Sequence, residues 1–122
     1  MSLTYAGVTR GPHEHTQQTD IFVFIGDFQV VLWDNRPTSK TYKERNDIYT
    51  WNDFSSATPM SCITPFVYLV VPPGVVHAYK NIHERNEGYV LNFPTTLYKG
   101  LGKRSAIDEI RHELDPNSEF KI

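Results

Sequence analysis

The sequence has a single cysteine, Cys62, so no disulfide can close within the chain, and the reducing cytosol is the expected compartment. Nothing basic flanks that thiol, which reads as a small buried hydrophobe. Long apolar runs are missing too. No stretch approaches the roughly 20 residues of a membrane span, and Met1–Arg10 has no signal-peptide character. Nor does charge of one sign dominate: 12 Lys and Arg face 14 Asp and Glu, for a net −2. A duplex-binding domain carries a basic face, so nucleic acid is not an expected partner. A disordered chain would have fewer aromatics than the 13% found here. What remains is one globular domain, 1–122, long enough to bury a single core.

Proline and glycine punctuate short apolar runs, which predict strands. Ile21–Ile25, then Gly26-Asp27, then Phe28–Trp33 read as a hairpin with glycine first in the turn. Tyr42–Trp51 is mixed and polar, an edge strand or loop, and Asn52–Pro59 is loop by composition. Phe66–Val71 ends at Pro72-Pro73-Gly74, and Gly88–Phe93 ends at Pro94. Many short strands between turn signals predict an all-β sandwich or barrel. The last quarter differs. Ser105 and Asp108 are spaced like a capping box, and Ile107, Ile110 and Leu114 recur at helical spacing. A short helix is expected over Ser105–Leu114, with His112 on its surface.

Two segments carry chemistry. The first is Gly7 to His15, with Arg10-Gly11-Pro12-His13-Glu14-His15 at its end and Asp20 and Gly26 beyond. Two positions apart, His13 and His15 share a face if they share a strand. The second is Pro72-Pro73-Gly74-Val75-Val76-His77, followed by Asn81. Together these resemble the two motifs of the cupins. Gly7, His13, His15 and Gly26 match the first motif, with Asp20 in place of its Glu; Pro72, Gly74, His77 and Asn81 match the second. The resemblance spans roughly residues 7 to 93. It implies a double-stranded β-helix, or jelly roll, with its site inside the barrel, and a homodimer.

A narrower resemblance is to the dTDP-4-dehydrorhamnose 3,5-epimerases, whose Arg-Gly-x-His and Pro-Pro-Gly-x-x-His are matched by Arg10 to His13 and Pro72 to His77. Their Val-Asp-x-Arg hairpin end is similar to Leu32–Arg36, and Tyr98 is the nearest equivalent of their tyrosine. The 3,4-ketoisomerases acting on dTDP-4-keto-6-deoxyglucose resemble the chain in Arg-Gly-x-His-x-His, matched through His15. Where the epimerases have an active-site lysine, this chain has Thr19-Asp20. Their histidine-orienting carboxylate lies late in the chain, and Asp115 is the expected counterpart.

The resemblance implies an isomerase of a dTDP-4-keto-6-deoxyhexose in deoxysugar biosynthesis, needing no cofactor. A 4-ketone acidifies its neighbouring C–H bonds, so His13 suits the base and Tyr98 the acid. His15 or His77 is left to stabilise the enolate oxygen. Arg10, Arg36 and Lys99 are candidate substrate-binding cations, Arg10 having the fork geometry for a diphosphate. Two alternatives stand beside this. One is a metal-dependent cupin enzyme holding one divalent transition metal through His13, His15, Asp20 and His77. The other is a sugar-binding cupin without catalysis.

Overall fold

A computed structural model describes residues 1–51 and 67–122. Cys62, Phe66 and the loop expected over Asn52–Pro59 lie outside the described residues. Nine strands occur among those described: β1 Ser2–Thr4, β2 Thr9–Glu14, β3 Asp20–Ile25, β4 Phe28–Asp34, β5 Arg45–Thr50, β6 Val67–Val71, β7 Val75–Asn81, β8 Gly88–Asn92 and β9 Ile110–Arg111. They form two antiparallel sheets, one ordered β1-β8-β3-β6 and the other β5-β4-β7-β2-β9. This is the expected all-β jelly roll.

Alternation along the strands builds the core. Phe22 and Phe24 of β3 pack between the sheets against Phe28, Val30, Val75, Tyr79 and Val90. The intervening Ile21, Val23 and Ile25 face outward, in register with Tyr68, Val70, Tyr89 and Leu91. That outer face is apolar throughout, and Tyr68, Val70 and Tyr89 are exposed on it.

The expected Gly26-Asp27 hairpin is not formed. β3 pairs with β6 and β8, whereas β4 pairs with β5 and β7, so Gly26-Asp27 is a corner between sheets. The reason is burial. Phe24 and Phe28 both point into the core from opposite sheets, with ring centroids 5.4 Å apart. Gly26, at φ +132°, permits the corner where a Cβ would sit 3.0 Å from the Gly88 Cα.

The five-stranded sheet is covered on both faces. Val31, Trp33, Val76 and Ala78 point away from the barrel interior and are packed by Phe120 and Ile122 of the C-terminal tail. Residues 105–114 are not helical, contrary to expectation: β9 pairs with β2, and a single 3-10 turn covers His112–Leu114. Ile107, Ile110 and Leu114, the supposed apolar face, are all exposed. The capping-box signal has another use. The Asp108 carboxylate accepts hydrogen bonds from the backbone N–H of Thr16, Gln17 and Gln18 at 2.8 to 2.9 Å and from the Thr16 hydroxyl at 2.6 Å. Burial resists its charge, but those donors hold the carboxyl well below the usual range. Four such bonds draw residues 105–114 across the barrel mouth as an extended strap.

Candidate active site

The barrel opens into a cavity of about 600 Å³. Its inner wall is built where β2 crosses β7. The β2 register shifts between Arg10 and His13, which brings His13 opposite His77. Gly11 makes this approach possible: at φ +85°, any Cβ there would lie 2.7 Å from the His77 carbonyl oxygen. Period-2 alternation turns His13 inward, and His15, just past the strand end, lines the same cavity. His77, on β7, has its ring 6.3 Å from that of His13 and 5.5 Å from that of His15. The three imidazoles expected to converge do converge.

Asp20 supplies the charge beneath them. It opens β3, and its side chain is 1% exposed. Oδ1 accepts from Gln18 Nε2 at 2.7 Å and Asn92 Nδ2 at 3.1 Å. Oδ2 lies 2.9 Å from His15 Nε2 and 3.5 Å from His77 Nε2. Burial pushes the Asp20 carboxyl up, but these partners outweigh it and the net direction is down. His15 has its other ring nitrogen, Nδ1, against the Asp108 carbonyl oxygen. Both of its ring nitrogens thus face oxygen acceptors, an arrangement that only the doubly protonated ring satisfies. Burial disfavours that charge; Asp20 and Asp108 more than compensate, and the His15 pKa is raised.

His77 goes the other way. Burial lowers its pKa to about 4, against a weaker opposing pull from the Val75 carbonyl and Asp20. The sign of the linkage follows. Below the ordinary value of 6.5 the unfolded ring takes a proton that the folded ring refuses until about 4. Stability therefore falls as pH drops through that window, by at most about 1.4 kcal/mol per pH unit for one proton. His77→Gln is expected to flatten this decline, as read from urea midpoints across the window.

His13 sits between two carboxylates of the strap. Its Nε2 donates to Glu113 Oε1 at 2.8 Å, and its Nδ1 lies 3.6 Å from Glu109 Oε1. Glu109 lines the cavity and is itself paired with Arg111 at 2.7 Å. The carboxylate hydrogen-bonded to His13 is therefore Glu113. Asp115, expected in that role, instead accepts the Asn117 backbone N–H at 2.9 Å. Glu113 escaped notice because a helix over Ser105–Leu114 gives it no reason to face β2.

Arg10, Tyr98 and Lys99 line the cavity. Arg10 also donates to the Leu3 carbonyl at 3.1 Å. Tyr98 is 61% exposed, with the Lys99 ammonium 5.9 Å from its ring centroid. Arg36 does not line the cavity. Its guanidinium makes a two-pronged pair with Asp34, at 2.8 Å for both bonds, and its stem packs on Gly74. The Asp-x-Arg pattern is a structural clamp here: Arg36, Ser39 and Thr41 together saturate the Asp34 carboxylate. His112, expected at the surface, donates to Glu14 Oε2 at 2.8 Å and packs on Phe120. Asn81, the last residue of the second motif, is fully buried and ties β7 to the Thr4 and Asn86 carbonyls.

No family model matches the sequence. Among solved structures, a dTDP sugar isomerase from Desulfovibrio desulfuricans G20 superposes with a TM-score of 0.71 at 18% identity, over 98% of this chain and 67% of that one. NovW, a 4-keto-6-deoxy sugar epimerase from the novobiocin gene cluster of Streptomyces spheroides, gives 0.68 at 19% identity, over 98% of this chain and 53% of that one. The chain has the jelly-roll fold of these proteins. RmlC from Legionella pneumophila, solved in complex with dTDP-4-keto-L-rhamnose, gives 0.65 at 20% identity, over 98% of this chain and 56% of that one. In sequence, the chain is 37% identical over 84 residues to the spore coat polysaccharide biosynthesis protein SpsL of Bacillus subtilis (strain 168), a match covering 68% of this chain. It spans about half of SpsL, 48% of that protein's length.

Proposed function

We propose that this protein is an isomerase of a dTDP-4-keto-6-deoxyhexose, moving protons beside the ketone by 3,5-epimerisation or 3,4-ketoisomerisation. The observation that carries the reading is His13, which lines the cavity and is tied at Nε2 to Glu113, with its Nδ1 3.6 Å from Glu109 and so beyond hydrogen-bond distance. In that tautomer Nδ1 holds a lone pair and removes a proton from a carbon next to the ketone. The C–H electrons pass into an enolate whose oxygen carries the new charge. The His15 imidazolium supplies fixed positive charge nearby, in place of the lysine of the epimerases. Tyr98 returns a proton from its phenol and recovers one from solvent, to which His13 releases the proton it took. Arg10 and Lys99 face the diphosphate.

The test is incubation with dTDP-4-keto-6-deoxyglucose in deuterated water. Deuterium at the carbons flanking the ketone, followed by mass spectrometry, is the expected result. Thermal stabilisation by the nucleotide sugar without deuterium uptake would instead identify a binding module and overturn the isomerase reading.

A metal-dependent reaction is the second reading, favoured by one observation: His15, Asp20 and His77 bring ligand atoms within 4.8 Å of one another. A divalent ion held by them would polarise the ketone oxygen as a Lewis acid. The same assay decides between the two, since stoichiometric metal whose chelation halts exchange would favour this reading.

A cytoplasmic homodimer completes the proposal. The single cysteine supports that compartment, and no helix among the described residues is long and apolar enough to cross a membrane. The apolar outer face of the four-stranded sheet is the surface a second copy would cover.

A further inference from the structure

Strand β2 carries an imidazole and a carboxylate on consecutive residues, and so does the strap. His13 faces the cavity and Glu14 the opposite side of the sheet. The strap answers with Glu113 on the cavity side and His112 on the outer side. The two pairs cross β2 with reversed polarity, His13–Glu113 at 2.8 Å and His112–Glu14 at 2.8 Å.

The outer pair is the better anchored. Glu14 is buried, and its carboxylate also accepts from Asn35 Nδ2 at 3.1 and 3.3 Å. The His112 ring lies 4.7 Å from Phe120, which in turn packs on Trp33 at 5.7 Å. Glu113 has no such frame. Among the described residues its carboxylate makes one hydrogen bond, to His13. A side chain of three rotors on a single 3-10 turn keeps its place only if the turn does. His112 is the residue of that turn which is fastened to the barrel.

We propose that His112 and Glu14 are positioning residues: their pair on the outer side of β2 holds the turn that keeps Glu113 on His13. That contact fixes the His13 tautomer, with the proton on Nε2 and the lone pair on Nδ1. Its catalytic consequence rests on the isomerase reading above; the structural coupling does not. The charged and titratable groups facing His13 are Glu109 and Glu113 from the strap, Arg111 behind Glu109, and His77 from β7.

The experiment is nitrogen-15 NMR of histidine-labelled full-length protein without substrate. The wild type is expected to show neutral His13 as a single Nε2–H tautomer. His112→Phe keeps the ring on Phe120 but cannot donate to Glu14, and a mixture of His13 tautomers is expected, as in Glu113→Ala. His112→Gln can still donate and is expected to restore the single tautomer. In the deuterium assay His112→Phe is expected to lower kcat by about a hundredfold, the scale of a small misplacement of a catalytic group, with KM little changed. If His112→Phe does not fold, Glu14→Ala carries the same test. A single Nε2–H tautomer in the folded variant overturns the proposal. Failure of the isomerase reading is told apart because it silences the wild-type deuterium signal and leaves the tautomer measurement intact.

Discussion

His13→Ala is expected to slow deuterium uptake into dTDP-4-keto-6-deoxyglucose by about 10²- to 10⁴-fold, the usual worth of a positioned general base. The protein should stay folded. His13 and its partners Glu109 and Glu113 keep 25%, 18% and 30% side-chain exposure, so the two carboxylates left behind can be hydrated. Glu113→Gln should lose less, because the amide oxygen still accepts the Nε2 proton while the ion-pair partner of the forming imidazolium is gone. Order matters more than size. Exchange should fall from wild type to Glu113→Gln to His13→Ala, and undiminished exchange in His13→Ala would remove His13 from the mechanism.

The second large effect is on stability. Asp20→Asn is expected to cost about 3–5 kcal/mol, the scale for removing one partner of a buried ion pair. Shape is preserved, but hydrogen-bond chemistry is not. Four nitrogens surround the Asp20 carboxylate, two at each oxygen. An asparagine must aim its NH₂ either at the Gln18 and Asn92 amides or at the His15 N–H, donor against donor, while the His15 imidazolium loses its counter-charge. The pH dependence has a definite shape. His15, raised from 6.5, stabilises fully below that value and loses its contribution as pH rises through its higher folded value. Asp20, lowered from 3.8, stabilises above that value and loses its contribution as pH falls further. The gap between wild type and Asp20→Asn should therefore be widest between 3.8 and 6.5 and narrow on both sides. Urea denaturation across this range measures it, and a gap independent of pH would refute the ion-pair assignment.

Much of the site was legible because its geometry is local. His13 and His15 share a face by strand alternation, and Pro72-Pro73-Gly74 starts the strand that carries His77. Asp20 was legible as a residue of interest, though its task differs from a motif glutamate's: it binds two imidazoles from below. What escaped was set by distance along the chain. Phe24 and Phe28 look like a hairpin's two arms until the core claims them for opposite sheets. Ile107, Ile110 and Leu114 have helical spacing, but the Asp108 carboxylate gains more from the N–H groups of Thr16, Gln17 and Gln18 than from capping its own segment. With the helix lost, the partners of His13 and Glu14 changed as well. Arg36 misled for a simpler reason, since a carboxylate two residues away matches a guanidinium as well as any diphosphate does.

The strap also has a temporal consequence. On the ribosome β1 to β8 are made first, and the carboxylates serving His13 emerge only after the last of those strands. The eight strands that build the barrel thus precede both carboxylate partners of His13 along the chain. The His13–Glu113 contact forms only once Asp108 reaches the turn after β2 and the strap settles.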